Sequence, residues 1–228
     1  SSRASEVARP SGSKHEAPRE VALPSPLTAF ARSSLERDGD YEAVHFDGLS
    51  FARQVAEDAK FLGCRFERCA FDETSLRRAH ISECLIEELH ATSFDTGDSV
   101  WRDTLVTVRR VGALLAAGAS LSSVRLRGGR LDLLDFSGAH LVAVAFEGCA
   151  VGELDLGTAE GRGLSFEGSE IELLDVTGSR LVDADLTGAT IGAVRGVAGL
   201  RGATVTPVQL MDLAPHLAAH LGIKVRGD

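Results

Sequence analysis

From Phe46 to Ile191 every fifth residue is set apart from its neighbours. Thirty positions share this phase, and 25 of them are large and apolar, running from Phe46, Phe51 and Phe61 through Trp101 to Leu181, Leu186 and Ile191. The exceptions are Ala56, Ala91, Thr96, Ala116 and Gly161. The chain is 44% hydrophobic, so composition alone predicts about 13 apolar residues of any size in the phase. Eight of the ten phenylalanines lie in it. Two residues before each centre runs a second column of mostly small or apolar residues, among them Cys64, Cys69, Cys84, Ala139, Cys149 and Ala184. The other three phases are mostly polar, charged or Gly. A helix repeats its faces every 3.6 residues and a strand every two. A five-residue period therefore requires a chain that turns after every five residues and sends the same positions inward each time.

The segment Ala184-Asp185-Leu186-Thr187-Gly188 resembles the consensus of the pentapeptide-repeat family: a small residue, Asp or Asn, Leu or Phe, a polar residue, then often Gly. Ser137-Gly138-Ala139, Glu147-Gly148-Cys149, Glu167-Gly168-Ser169 and Thr177-Gly178-Ser179 sit at the same junctions. The resemblance covers about residues 44–195 and implies an all-β fold, a right-handed quadrilateral β-helix with four pentapeptides per coil. An internal 20-residue repeat supports this independently: Leu131-Asp132-Leu133-Leu134-Asp135-Phe136 aligns with Val151 to Leu156 and with Ile171 to Val176. Thirty pentapeptides make about 7–8 coils, a rod about 36 Å long at roughly 4.8 Å per rung.

The phase is weakest between Ala91 and Ala119, where Thr96 and Ala116 are poor centres and Arg109 falls in an inward column. A buried unpaired Arg is costly, so a bulge or loop is expected there with Arg109 turned out. Solenoid ends expose open strand edges that need covers. Thr206-Pro207-Val208-Gln209 reads as an N-cap, a first-position Pro and a capping-box Gln. It opens a short amphipathic helix carrying Leu210, Leu213, Leu217 and Leu221, which Pro215 should kink or split and Gly222 should stop. The expected organisation is a disordered tail over 1–25, an N-terminal cap over 26–43 (a short helix or similar cover, then a lead-in strand from Tyr41), the β-helix over 44–205 and a C-terminal helical cap over 206–228.

The four cysteines share the inward phase, which marks them as small core residues; Cys64 and Cys84 should stack on adjacent rungs. No Cys-x-x-Cys pair suggests zinc. His45, His80, His90 and His140 precede a centre and should be surface residues, and His216 and His220 form only a two-ligand pair. No phosphate loop, nucleophile elbow or His-Glu-x-x-His occurs. No catalytic residue, metal or cofactor is expected. There is no apolar run near 18 residues and no signal-peptide core, so a cytoplasmic chain without membrane partners is expected.

Charge is the feature that stands above background. Net charge is −9, but residues 131–190 hold twelve acidic against two basic residues, a net of −10, while residues 71–130 carry eight of each. Such a balance argues against a nucleic-acid binder and favours a basic partner. Asp135, Asp155 and Asp175 share a phase at 20-residue spacing and should form a ladder; Glu147 and Glu167 form a shorter one. Asp at that position can also hydrogen-bond within its own turn. A net of −10 over about 14 Å approaches the charge density of duplex DNA, one per about 1.7 Å. The resemblance implies, for the best-understood members, imitation of DNA and binding to DNA gyrase or topoisomerase IV with altered quinolone sensitivity. The expected function is a non-catalytic scaffold for an unknown protein partner, with a DNA-mimicking modulator of a type II topoisomerase as the alternative. A homodimer through Leu210, Leu213, Leu217 and Leu221 is the further expectation.

Overall fold

A computed structural model describes residues 17–224. Between Tyr41 and Thr204 the chain winds through about eight turns of a four-sided solenoid, each residue lying over the one 20 positions earlier except where Val108 lies over Leu89 and Thr204 over Asp185. One side stacks 40–42, 60–62, 80–82 and so on to 180–182; the other three do the same five, ten and fifteen residues further along. All pairings are parallel. The apolar centres face the axis: Phe46, Phe51, Phe136, Phe146, Leu156 and Phe166 are all buried. Phe146 and Phe166 stack face to face at 4.7 Å, as Phe46 and Phe66 do at 4.4 Å.

The five-residue turn has a backbone signature. Two residues past most centres φ is positive, at glycines such as Gly63 and Gly148 and also at Arg53, Glu73, Ser123 and Thr158. The side that carries Arg53 and Glu73 changes from Ser93 onward. Ser93, Ala113, Leu133, Glu153, Leu173 and Ala193 hold the corresponding position without positive φ, and extended structure runs straight through them, as in 130–135, 150–155 and 170–175. A left-handed corner favours Gly; this corner does not need it and accepts Leu and Glu.

Six small donors of the second inward column share one kind of partner, while Ser99, Thr104 and Ser179 bond carbonyls two or three residues back. Thr74 and Ser169 donate their hydroxyls to the carbonyls of Phe51 and Phe146, at 2.8 and 3.2 Å. The thiols of Cys64, Cys69, Cys84 and Cys149 point at the carbonyls of Tyr41, Phe46, Phe61 and Leu126, at 3.2–3.5 Å. Each reaches back 23 residues, to the centre on the rung before. All four cysteines are free and buried.

The irregularity expected between 91 and 119 is smaller than a loop and begins earlier. Leu89 pairs with Val108 rather than with Arg109, and the 20-residue register resumes at His90 and Arg110. The one-residue slip puts Val108 inward and leaves Arg109 exposed. On the next rung Gly128 and Gly129 both have positive φ, and a Cβ on Gly129 would meet the Val108 carbonyl oxygen at 2.3 Å. The poor centres are matched by neighbours: Thr96 and Ala116 leave room for Trp101, whose indole donates to Ser99 Oγ at 2.8 Å, and Leu164 and Leu181 fill the space beside Gly161.

Both ends are covered, the first without a helix. Thr28–Ala29 pairs with Val44 and His45, Phe30 packs 4.6 Å from Phe46, and Gln54 binds the Leu35 N–H and the Ser33 carbonyl. At the other end helix α1, Pro207–His220, starts with the expected capping box of Thr206 and Gln209. It runs unbroken through Pro215; the carbonyl left without a helical partner is that of Met211, an exposed residue. Gly222, with φ +70°, ends it, the Ile223 N–H closing on the Ala218 carbonyl. Gln209 Nε2 donates to the Leu186 and Ala189 carbonyls at 2.6 and 2.8 Å. Leu186 lies 23 residues before Gln209, so the cap supplies the donor that another rung would have supplied. No helix among the described residues is long and apolar enough to cross a membrane.

The expected tail divides. Residues 1–16 lie outside the described residues. Residues 17–25 lie along the rod: Pro18 is buried, the Arg19 N–H donates to Ser123 Oγ at 2.8 Å, and Arg125 donates to the Pro18 carbonyl at 3.0 Å. Polar composition suggests little to bury here, but two prolines and alternating half-buried Val21 and Leu23 suit an extended strip.

Candidate interaction surface

The aspartate ladder exists in register, Asp135 beside Asp155 beside Asp175. Its side chains do not stand free. Each is half-buried, and each Oδ1 accepts the N–H two residues on, from Ser137 at 2.8 Å, Gly157 at 2.7 Å and Thr177 at 2.9 Å. Asp95 and Asp185 do the same with Gly97 and Thr187. These carboxylates close corners. Burial raises the Asp175 pKa, but hydrogen bonds from Thr177 and the Arg195 guanidinium outweigh it and hold the group below the ordinary value. The ladder thus takes the turn-closing role that its position also allowed, with a turn N–H bound at every rung.

The shorter ladder also divides. Glu147 lies between Arg125 and Arg127, each 2.8 Å away, whereas Glu167 is exposed. Elsewhere on the acidic half, arginines from flanking rungs reach over the carboxylates. Arg110 and Arg130 flank Asp132, Arg130 spans two rungs to Glu172, and Arg195 touches both Glu153 and Asp175. Five arginines that pair with this half lie outside residues 131–190. Over 110–195, which includes them, twelve carboxylates face seven arginines for a net of −5. Spread over about 21 Å at 4.8 Å per rung, this is one charge per about 4 Å, well below duplex DNA.

The solenoid lattice, with an unbroken inward phase and 20 residues per turn, decides the architecture. The fold is the pentapeptide-repeat β-helix. Among solved structures, this chain is similar to HetL, a pentapeptide-repeat protein involved in heterocyst differentiation regulation from the cyanobacterium Nostoc sp. strain PCC 7120. Identity is 15% over 73% of this chain and 87% of that one, with a TM-score of 0.33. It is similar too to full-length QnrB1, a plasmid-mediated fluoroquinolone resistance protein, at 15% identity over 78% and 99% of the two chains and a TM-score of 0.28. No family model matches the sequence, and no curated protein matches it. The fold assignment rests on the internal register rather than on these superpositions.

The leucines of α1 have separate fates. Leu213 is buried and Leu217 packs partly against the last coil. Leu210 and Leu221 are 51% and 71% exposed, beside exposed Val208, Met211 and Ile223. Capping therefore uses one edge of the helix and leaves another apolar edge open. His216 lines the groove between helix and last coil with Asp212, Thr190 and Val194.

Elsewhere, His45, Asp47 and Glu67 bring ligand atoms within 4.8 Å of one another. Arg68 pairs with both carboxylates and Arg65 with Glu67, so guanidiniums already hold the charge a cation would neutralise. The thiols are sealed: burial pushes Cys69 up, and Cys149 up to about 11. In the stacked pair, the hydrogen bond to Cys64 and then burial raise Cys84 far above the ordinary thiol range.

Proposed function

We propose that this pentapeptide-repeat rod is a non-catalytic scaffold that presents a fixed lattice of side chains to a protein partner. The observation that carries the reading is the allocation of groups. The inward columns consist of apolar side chains and small donors bonded to backbone carbonyls, while outward residues repeat at fixed spacing along about eight turns. Such a surface is preorganised for binding. Its partner contacts are the exposed carboxylates of the C-terminal half, with Glu167 replacing the turn-closing aspartates as the leading residue. The open edge of α1, with Leu210 and Leu221, is the proposed self-association surface. Affinity capture from the source cells, with wild type against a Glu167→Lys, Asp183→Lys variant, tests the reading. A partner held by the wild type, released by salt and lost from the variant is expected; equal capture by both refutes the acidic contact.

The topoisomerase alternative draws on the in-register Asp135, Asp155 and Asp175 column. Arginine pairing weakens it by reducing the net charge. A supercoiling assay with gyrase from the same source decides it: supercoiling unchanged by micromolar protein removes this alternative and leaves the scaffold.

A further inference from the structure

The corner followed by residues 17–24 is built to receive an extended chain. Thr28 and Ala29 pair beside Val44 and His45. Going back along the chain, Pro24 reaches Gly63, and Pro18 and Arg19 reach Ser123 and Arg125. Gly63 and Ser123 are equivalent corner residues three rungs apart, about 14 Å. The five steps from Arg19 to Pro24 span at most about 17 Å when extended. The strip is therefore nearly straight and runs along the axis, across the strands. Val21 and Leu23 are half-buried while Glu20 and Ala22 are exposed, the alternation of an extended chain lying on a surface.

The rod side is shaped for this contact. Gly63 has φ +61°, and a Cβ there would meet the Pro24 ring at 2.9 Å. Ser123 offers an acceptor for one backbone N–H and Arg125 a donor for one backbone carbonyl. Arg125 is only 17% exposed and is steadied by Glu147 at 2.8 Å. One main-chain donor, one main-chain acceptor and a flat seat for a proline ring are a recognition set for an extended, proline-containing peptide.

We propose that this corner is a peptide-binding track, and that residues 17–24 occupy it in cis as a strap that a partner's extended proline-containing segment displaces. The track rests on the scaffold reading in supplying a second contact, made to main-chain groups, and it fails separately, because its ligand contacts avoid the acidic half's free carboxylates. A cis occupant competes at millimolar effective concentration, so a peptide in trans should bind weakly until the strap is released.

The test uses the full chain. Pro18→Asp with Pro24→Asp releases the strap and leaves Gly63, Ser123 and Arg125 unchanged. A fluorescent peptide with the sequence of residues 17–26 should bind this variant at least tenfold more tightly than wild type. Adding Arg125→Gln to the released variant should remove most of that gain. Trypsin should cut after Arg19 at least tenfold faster in the released variant than in wild type. Equal peptide affinity for wild type and released protein, binding indifferent to Arg125→Gln, or equal cleavage after Arg19 would each overturn the proposal.

Discussion

At the scale of single residues, geometry decides between two meanings of one aspartate. Asp155 belongs to a charged column, and its Oδ1 accepts the Gly157 N–H at 2.7 Å. Asp155→Asn keeps an acceptor and should change stability by less than about 0.5 kcal/mol, whereas Asp155→Lys should cost about 1–2 kcal/mol. Chemical denaturation distinguishes them; equal losses would mean that charge rather than turn closure matters. Thr158 is a β-branched residue at φ +56°, where a side chain costs about 1–2 kcal/mol. Thr158→Gly should stabilise the rod by about 0.5–1 kcal/mol after the greater entropy of unfolded Gly is counted. Cys149 has a folded pKa near 11 against 9.0 as reference. Its contribution is fully present below pH 9 and is lost as pH rises through about 11, since the unfolded thiol ionises first. The loss is about 2–3 kcal/mol, and the alkaline decline in melting temperature should be shallower in Cys149→Ala. The inward phase of these cysteines was legible in the sequence. Their shared reach to a carbonyl 23 residues back was not, because it depends on how successive rungs stack.

At the scale of elements, the five-residue phase located nearly every inward side chain. Phe146→Ala removes a fully buried ring stacked on Phe166 and should cost about 3–5 kcal/mol; a loss under about 1 kcal/mol would contradict the inward register. Between Ala91 and Ala119 the broken phase indicated a bulge or loop with Arg109 turned out, but not which residues would pair around it. The slip at Leu89 and Val108 required knowing that Gly129, one rung on, could let a carbonyl approach. Helix α1 was legible from Thr206, Pro207 and Gln209, but its continuity past Pro215 was not, because a sequence does not show whether a lost bond falls on an exposed turn. The strap was hidden by its composition: Ser, Pro, Arg and Glu read as a tail until Ser123 and Arg125 are placed beside it. Gln209→Ala should leave the Ala189 carbonyl and the Thr206 N–H without partners and cost the Leu186 carbonyl one of its two donors. Faster amide exchange in the last coil, with exchange in the middle coils unchanged, is the expected readout.

Across the whole molecule, counting charges along the chain differs from counting them in space. Residues 131–190 read as −10, yet neighbouring rungs lie about 4.8 Å away and their arginines lean across. Arg130 joins Asp132 to Glu172, two rungs apart. Charge counted along the sequence alone therefore overstates the acidity of this face; Glu167 is exposed, while Asp135, Asp155 and Asp175 also close their turns. The coils were legible because solenoid contacts are between near neighbours on a fixed period. The surface was not, because it depends on which outward residues meet across rungs.

The glutamines at the two ends carry a consequence for assembly. A stack of parallel rungs has no intrinsic length, since each rung presents to the next what it received from the one before. Open, it would be a growing tip for head-to-tail polymerisation into a filament with a cross-β spacing. Gln54 turns back to the chain before the first coil, and Gln209 uses the bonding positions of the rung that would follow the last. These two amides act as chain terminators, making the rod a unit of defined length rather than a seed.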